Sequence, residues 1–188
     1  NVTCDERLAT LIRNVKRWRH TAWTGQREWV QVNLAGQIVR LYRDDKLVML
    51  QRTVVGSDKS YYSKAYGRRH WRNATPILTD EIETVIVNPE WNVPGRIARE
   101  EIGPEIDKDP TYLDKHRFTV IQGKDGATYY RQESGPGNAL GRIKILFPNS
   151  ESVYLHDTPG KAAFNQPVRA LSHGCVRVQN AVDFGAEI

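Results

Sequence analysis

The hydrophobic period changes at Trp29, and that change limits what this chain can build. Before it, Leu8, Leu11, Ile12, Val15 and Trp18 recur at helical spacing. After it, Val30, Val32 and Leu34 alternate with Gln31 and Asn33, Ala35-Gly36 turns the chain, and Ile38 to Tyr42 reads as a second strand. Asp44-Asp45 turns it again, and Leu47 to Val55 runs as a third. Short strands with tight connections form a β-meander. Further strand-like stretches, the last ending at His156, extend the pattern. The expectation is a mainly β (α+β) domain: a mixed sheet curved into a sandwich or partial barrel, with helices at its edges. An apolar share of 39% in 188 residues supplies one well-cored domain and excludes a disordered chain.

Thr3-Cys4-Asp5-Glu6 reads as a capping box that opens the N-terminal helix, residues 1–20. Its apolar stripe is expected to pack on the core. Ser57 to Thr75 interleaves Lys59, Lys64, Arg68, Arg69, His70 and Arg72 with Tyr61, Tyr62, Tyr66 and Trp71. Such a mixture suits single-stranded nucleic acid, an anionic glycan or peptide, or simply water. No nucleic-acid motif accompanies it, so nucleic acid is not an expected partner, and a solvated loop is expected.

Asn88 to Pro94 carries two prolines and cannot continue the strand at 84–87. Helical turns at 97–102 and 110–115 follow, then a hairpin of 118–121 and 127–131 across Gly123-Lys124-Asp125-Gly126. Gly135-Pro136-Gly137 returns the chain, so residues 89–137 read as an excursion from the main sheet. Ile143 to Phe147 and Ser152 to His156 form a second hairpin, the loop 157–171 is expected to cross above the site, and helix resumes after Asn180.

Twenty-seven Lys and Arg against 22 Asp and Glu leave a formal charge of +5, which suits an anionic partner such as a carboxylate-bearing cell wall. No signal peptide or membrane span is visible; the abrupt ends read as those of a piece of a larger exported protein. Two cysteines, Cys4 and Cys175, do not make a disulfide framework.

The chemistry concentrates between Tyr154 and Arg177. Tyr154-Leu155-His156-Asp157-Thr158 and Ser172-His173-Gly174-Cys175-Val176-Arg177 separate His156 from Cys175 by 18 intervening residues. A thiol is a weak nucleophile at neutral pH unless a base or a positive field assists it, and an imidazole with a pKa near ~6.5 is the natural base. His156 ends a strand, a rigid place from which to aim; His173 is the alternative base. His156, His173 and Cys175 could also ligate zinc, but nothing supplies a second ligand pair, and neither metal nor cofactor is expected.

This pair of blocks closely resembles the signature of the L,D-transpeptidases, bacterial enzymes that cross-link peptidoglycan through a cysteine. The resemblance runs from about Leu8 onward and includes Asn88-Pro89-Glu90-Trp91-Asn92-Val93-Pro94, Asn138-Ala139-Leu140-Gly141-Arg142 and His156-Asp157-Thr158-Pro159, as in the longer Gram-negative members. It implies that Cys175 is the nucleophile and His156 the base or proton shuttle, oriented by the Asp157 backbone carbonyl. It implies that His173 shapes the acyl pocket, that Arg177 contacts substrate or organises the pocket, and that residues 89–137 cap the donor peptide. Gly174 and Cys175 N–H groups are the expected oxyanion donors, Ser172 a loop brace, and Tyr154 a pocket wall. Trp91 is expected either to line the cleft or to pack inside the insertion. Segment 57–75 is longer than the family usually carries.

The partners the resemblance implies are donor and acceptor peptidoglycan stem peptides, carbapenems as covalent inhibitors, and upstream modules of the same chain. The compartment it implies is the periplasm or the cell wall. The readings that compete are an L,D-carboxypeptidase or endopeptidase on the same fold, and an idle wall-binding module.

Overall fold

A computed structural model describes residues 2–18, 26–65, 67–124 and 126–188, with side chains omitted at 17 and 18. The Trp18 side chain, Tyr66 and Asp125 of the sequence reading lie outside the described residues. Helix α1 spans Cys4–Trp18, and its capping box is formed: Thr3 N donates to Glu6 Oε2 at 2.8 Å and Glu6 N to Thr3 Oγ1 at 3.3 Å. The stripe on α1 does not pack on the core as expected. Leu8, Leu11, Ile12 and Val15 are all exposed. Helical periodicity reports an amphipathic face but not what covers it.

The meander forms as read: β1 (Glu28–Asn33), β2 (Ile38–Arg43) and β3 (Lys46–Gly56) pair antiparallel in succession. Trp29 and Tyr42, opposite one another, stack with ring centroids 4.0 Å apart. Segment 57–75 is not the solvated loop expected. It contains a hairpin of β4 (Tyr61–Ser63) and β5 (Arg68–His70), with the Arg72 guanidinium over the Tyr61 ring at 5.1 Å.

After β6 (Thr84–Val87) the chain leaves the sheet. A separate lobe holds β7 (Trp91–Asn92), α2 (Gly95–Ile97), a π-helical turn (Ala98–Ile102), α3 (Gly103–Lys108), α4 (Tyr112–Lys115), β8 (Phe118–Gln122) and β9 (Thr128–Gln132). Its three-stranded sheet runs β7-β9-β8, over its own cluster of Val93, Ile97, Ala98 and Ile102.

Back in the main sheet come β10 (Ile143–Leu146), β11 (Leu155–His156), β12 (Ala170–Ser172) and β13 (Val176–Val178), then α5 (Ala181–Glu187). The sheet order is β1-β2-β3-β13-β11-β10-β6, with β12 also on β3. The β11–β13 and β12–β3 pairs are parallel, so the sheet is mixed; its path ends at β1 and β6 and closes no barrel.

Alternation splits the central strands into two faces. Ile143, Ile145, Leu155, Val176 and Val178 turn to one side and pack with Val39, Leu41, Val55, Ala181 and Phe184. Each buried Val, Leu, Ile or Phe side chain among them contributes roughly 1.5–3 kcal/mol. Lys144, His156 and Arg177, directly paired across the strands, turn to the other side. The hydrophobic face anchors three strands whose opposite face carries the polar groups.

The loop 157–171 does not cross above Cys175. Lys161 Nζ donates to the Gln179 carbonyl at 2.7 Å, Arg52 to the Phe164 carbonyl at 3.3 Å, and buried Arg169 to the carbonyls of Thr53 and Gln37 at 3.0 Å each. The loop therefore rounds the far ends of β11 and β13 and returns beside β3. Parallel strands place those ends away from Cys175, which precedes β13.

Candidate active site

Register assembles the site. Leu155 pairs with Val176 and His156 with Arg177 in the parallel β11–β13 ladder, and Val176 N donates to the Tyr154 carbonyl at 3.0 Å. Cys175 therefore lies opposite Tyr154. With a side-chain period of two, Tyr154 and His156 share a face, as do Cys175 and Arg177. Lys144 joins them from β10, opposite His156. Tyr154 and His156 meet edge to face with centroids 5.6 Å apart, and Lys144 Nζ sits 4.1 Å from the Tyr154 ring centroid.

The Ser-His-Gly-Cys loop is braced internally. Ser172 Oγ donates to the Cys175 carbonyl at 2.6 Å and accepts from Gly174 N at 3.2 Å. Ser172 is thus a brace. The same bond gives the Gly174 N–H, one of the two expected oxyanion donors, an acceptor within its own loop. Gly174 has φ +124°, which a side chain would strain. Its carbonyl accepts from Thr75 Oγ1 at 2.7 Å, and that hydroxyl accepts from Gly56 N at 2.8 Å. Thr75, to which the sequence reading gave no role, ties the loop to β3.

Cys175 is partly buried, and its Sγ contacts the Ser152 carbonyl at 3.8 Å. Burial pushes its pKa up; the backbone and hydroxyl of Tyr154 and the charges of Lys144 and Arg177 pull the other way without prevailing. His156 is buried, and its pKa falls to about 4: desolvation dominates, helped by Arg177 and Lys144 and opposed by the Asp157 backbone. The imidazole is neutral at pH 7, the form a base requires. Its Nδ1 is buried without a hydrogen bond of normal geometry, so the Asp157 carbonyl is a neighbour that favours protonation and not yet a fixed acceptor. His156 and Cys175 do not hydrogen-bond each other here.

The Asp157 carboxylate is buried and engaged, not solvent-facing. It accepts from Arg142 N at 2.9 Å and from Lys161 Nζ. Burial would raise its pKa, but the Lys161, Arg142 and Thr158 hydrogen bonds outweigh that and lower it. This explains Asn138-Ala139-Leu140-Gly141-Arg142. The Asn138 side chain donates to the carbonyls of Gln132 and Glu133 and accepts from Leu140 N, while Gly141 has φ +63° and lies against Asp157. A Cβ at Gly141 would collide with the Asp157 carboxyl. Gly141→Ala is therefore expected to cost about 2–4 kcal/mol, from backbone strain plus displacement of a buried carboxylate. Denaturant unfolding with unchanged m-value would measure it, whereas a loss below about 0.5 kcal/mol would show that the turn relaxes freely.

The lobe reaches the site through its π-helical turn. Glu101 Oε1 lies 2.6 Å from His173 Nε2, and neighbouring Glu100 pairs with Arg72 at 3.0 Å. His173 thus faces the lobe. Trp91 packs inside the lobe, its ring centroid 6.4 Å from that of Phe118, which is the second of its two expected placements. Arg177 is partly buried and makes no ion pair within 4 Å among the described residues. No cluster of three or more His, Cys, Asp or Glu among the described residues is placed to hold a metal. Both thiols are free, and Cys4 is exposed on α1.

The sequence reading missed Lys144, Thr75, Ser152 and Glu101. Only Lys144 left a signal: a lone cation between Ile143 and Ile145 stands on the face opposite the core.

The site is thus a mixed sheet that carries a thiol, an imidazole and two cations on one face, behind a braced Ser-His-Gly-Cys loop. The family model of the L,D-transpeptidase catalytic domain (YkuD) matches residues 27–184, and the chain belongs to that family, whose members act on peptidoglycan. A Haemophilus influenzae protein named "Putative L,D-transpeptidase" is 33% identical over 165 residues, covering 80% of this chain and 31% of that protein. The chain thus spans about a third of that relative's length. Two solved structures overlap more loosely. The Ldtfm–avibactam carbamoyl enzyme has a TM-score of 0.47 at 14% identity, over 86% of this chain and 44% of that one. The L,D-transpeptidase (residues 123–326) from Xylanimonas cellulosilytica has a TM-score of 0.38 at 18% identity, over 93% and 60%.

Proposed function

We propose that this domain is a peptidoglycan L,D-transpeptidase that works through a Cys175 thioester. The observation that supports it best is the common sheet face of Tyr154, His156, Cys175 and Arg177, fixed by the β11–β13 register. The Cys175 sulfur, deprotonated by neutral His156, attacks the carbonyl of the third residue of a tetrapeptide stem. The Cys175 N–H receives the oxyanion. The tetrahedral adduct collapses, the C–N bond breaks, and D-alanine leaves with the proton His156 had taken. A diaminopimelate side-chain amine of a second stem then attacks the thioester, gives a proton to His156, and releases the sulfur with a new amide formed. Arg177 supplies a partly buried cation for a stem carboxylate, and the lobe at 89–137 caps the donor beside His173. Carbapenems would acylate the same sulfur. The domain would act in the periplasm or at the cell wall.

Incubation with purified tetrapeptide muropeptides is expected to yield cross-linked dimers with loss of one D-alanine, read by mass. Tripeptide products alone would assign an L,D-carboxypeptidase instead, and unchanged muropeptides would leave an idle wall-binding module.

A further inference from the structure

Lys144 is a charged group in the site for which the acyl transfer above has no use. The groups that act on Cys175 are Tyr154 beside it, Lys144 from β10 and Arg177 from β13; around them stand His156 opposite Lys144, Glu101 of the lobe beside Arg177, and His173, which meets Glu101. His156 is neutral at pH 7 and supplies no positive charge. Glu101 is turned to His173. The fixed cations near the sulfur are therefore Lys144 and Arg177.

Lys144 is held firmly. Ile143 and Ile145 on either side of it are buried in the core, so β10 cannot rotate it away from the site. Its ammonium rests over the Tyr154 ring, 4.1 Å from the centroid, a cation–π attraction that strengthens as water is excluded. Burial lowers the Lys144 pKa, and Cys175 is the neighbour that opposes this and favours the charged form.

Taking Cys175 as the nucleophile, as in the proposal above, we infer that Lys144 is the counter-charge of its thiolate, docked on the Tyr154 ring at the strand position opposite His156. The resting site is then not a thiolate–imidazolium pair. It is a thiol beside a neutral imidazole; when His156 takes the thiol proton, the thiolate is left in the field of Lys144, and His156 later returns that proton to the leaving amine. Lys144 acts as an electrostatic positioning residue and forms no bond to substrate.

Alkylation by iodoacetamide tests this without any peptidoglycan substrate. The thiolate displaces iodide to form an S–C bond, so the rate against pH reports thiolate formation. Mass spectrometry of the Cys175 peptide separates it from the exposed Cys4, which serves as the internal standard. Lys144→Met and Lys144→Gln are expected to shift the Cys175 profile up by about one pH unit, slowing neutral-pH alkylation about tenfold, while Lys144→Arg stays within about twofold of wild type. Met and Gln differ in polarity, so a folding failure in one leaves the other to decide. Profiles of the folded variants that superimpose on wild type would overturn the inference. So would Lys144→Arg shifted as far as Lys144→Met, which would make packing the cause. Because the probe is not a muropeptide, failure here is distinguishable from failure of the transpeptidase reading.

Discussion

Cys175→Ala is expected to abolish both acyl-enzyme formation and cross-linking, with no residual acylation above background. The other candidate nucleophiles among the described residues are each engaged or poorly ionised: Ser172 Oγ donates to the Cys175 carbonyl, the Tyr154 hydroxyl is pushed well above its ordinary pKa, chiefly by burial, and the Lys144 ammonium sits over the Tyr154 ring. Cys175→Ser is expected to be nearly as inactive. The surroundings already raise the pKa of a thiol, and a hydroxyl starts several units higher, so the same site cannot ionise it. Carbapenem acylation followed by intact mass measures both variants. Acylated Cys175→Ala protein would remove Cys175 from the reaction and place the nucleophile elsewhere.

His156→Ala is expected to slow acylation by about 10²–10⁴-fold, the range of a lost general base. His173→Ala is expected to do less harm, since its Nε2 is turned to Glu101. A dead His173→Ala beside a near-normal His156→Ala would reverse the assignment. The same imidazole carries a pH signature. Its pKa falls from 6.5 in the unfolded chain to about 4 in the fold, so between those values the unfolded state binds more protons and stability rises with pH. The fold is therefore expected to lose stability as pH drops from about 6.5 toward 4, by roughly 3 kcal/mol if the full shift is expressed. Asp157, whose pKa is lowered, loses its contribution in a separate window below 3.8. His156→Gln is expected to flatten the upper window and leave the lower one. Thermal melts across the two windows would show it, and an unchanged upper slope would place the acid sensitivity on another group.

The meander, the lobe and the hairpin ending at His156 were legible because each is written locally. Val30 and Val32, Ile143 and Ile145, and the Gly-Pro-Gly return carry period and turn signals within a few residues. The capping box of α1 was legible for the same reason. Where α1 turns its apolar stripe was not, because burial is a property of distant partners. The hairpin in 57–75 was hidden because strands of three residues are too short for a period to show. The path of loop 157–171 depended on where parallel β11 and β13 end, and parallel pairing leaves no local turn signal.

By itself, the sequence determined the chemistry on offer: a thiol, two imidazoles and an arginine in a Ser-His-Gly-Cys frame, on strands that alternate. Side-chain period alone puts Tyr154 with His156 and Cys175 with Arg177. Tertiary structure decided which of these groups meet and in what charge state. The β11–β13 register joined the two pairs on one face, and the β10–β11 register brought in Lys144. Folding of the lobe turned His173 to Glu101, and the loop's own bonds occupied the Gly174 N–H with Ser172. Burial then made His156 neutral while cations gathered near Cys175. The physical reason is range: periodicity and turn chemistry act over a few neighbours, whereas strand register, desolvation and electrostatic fields arise only when distant segments pack.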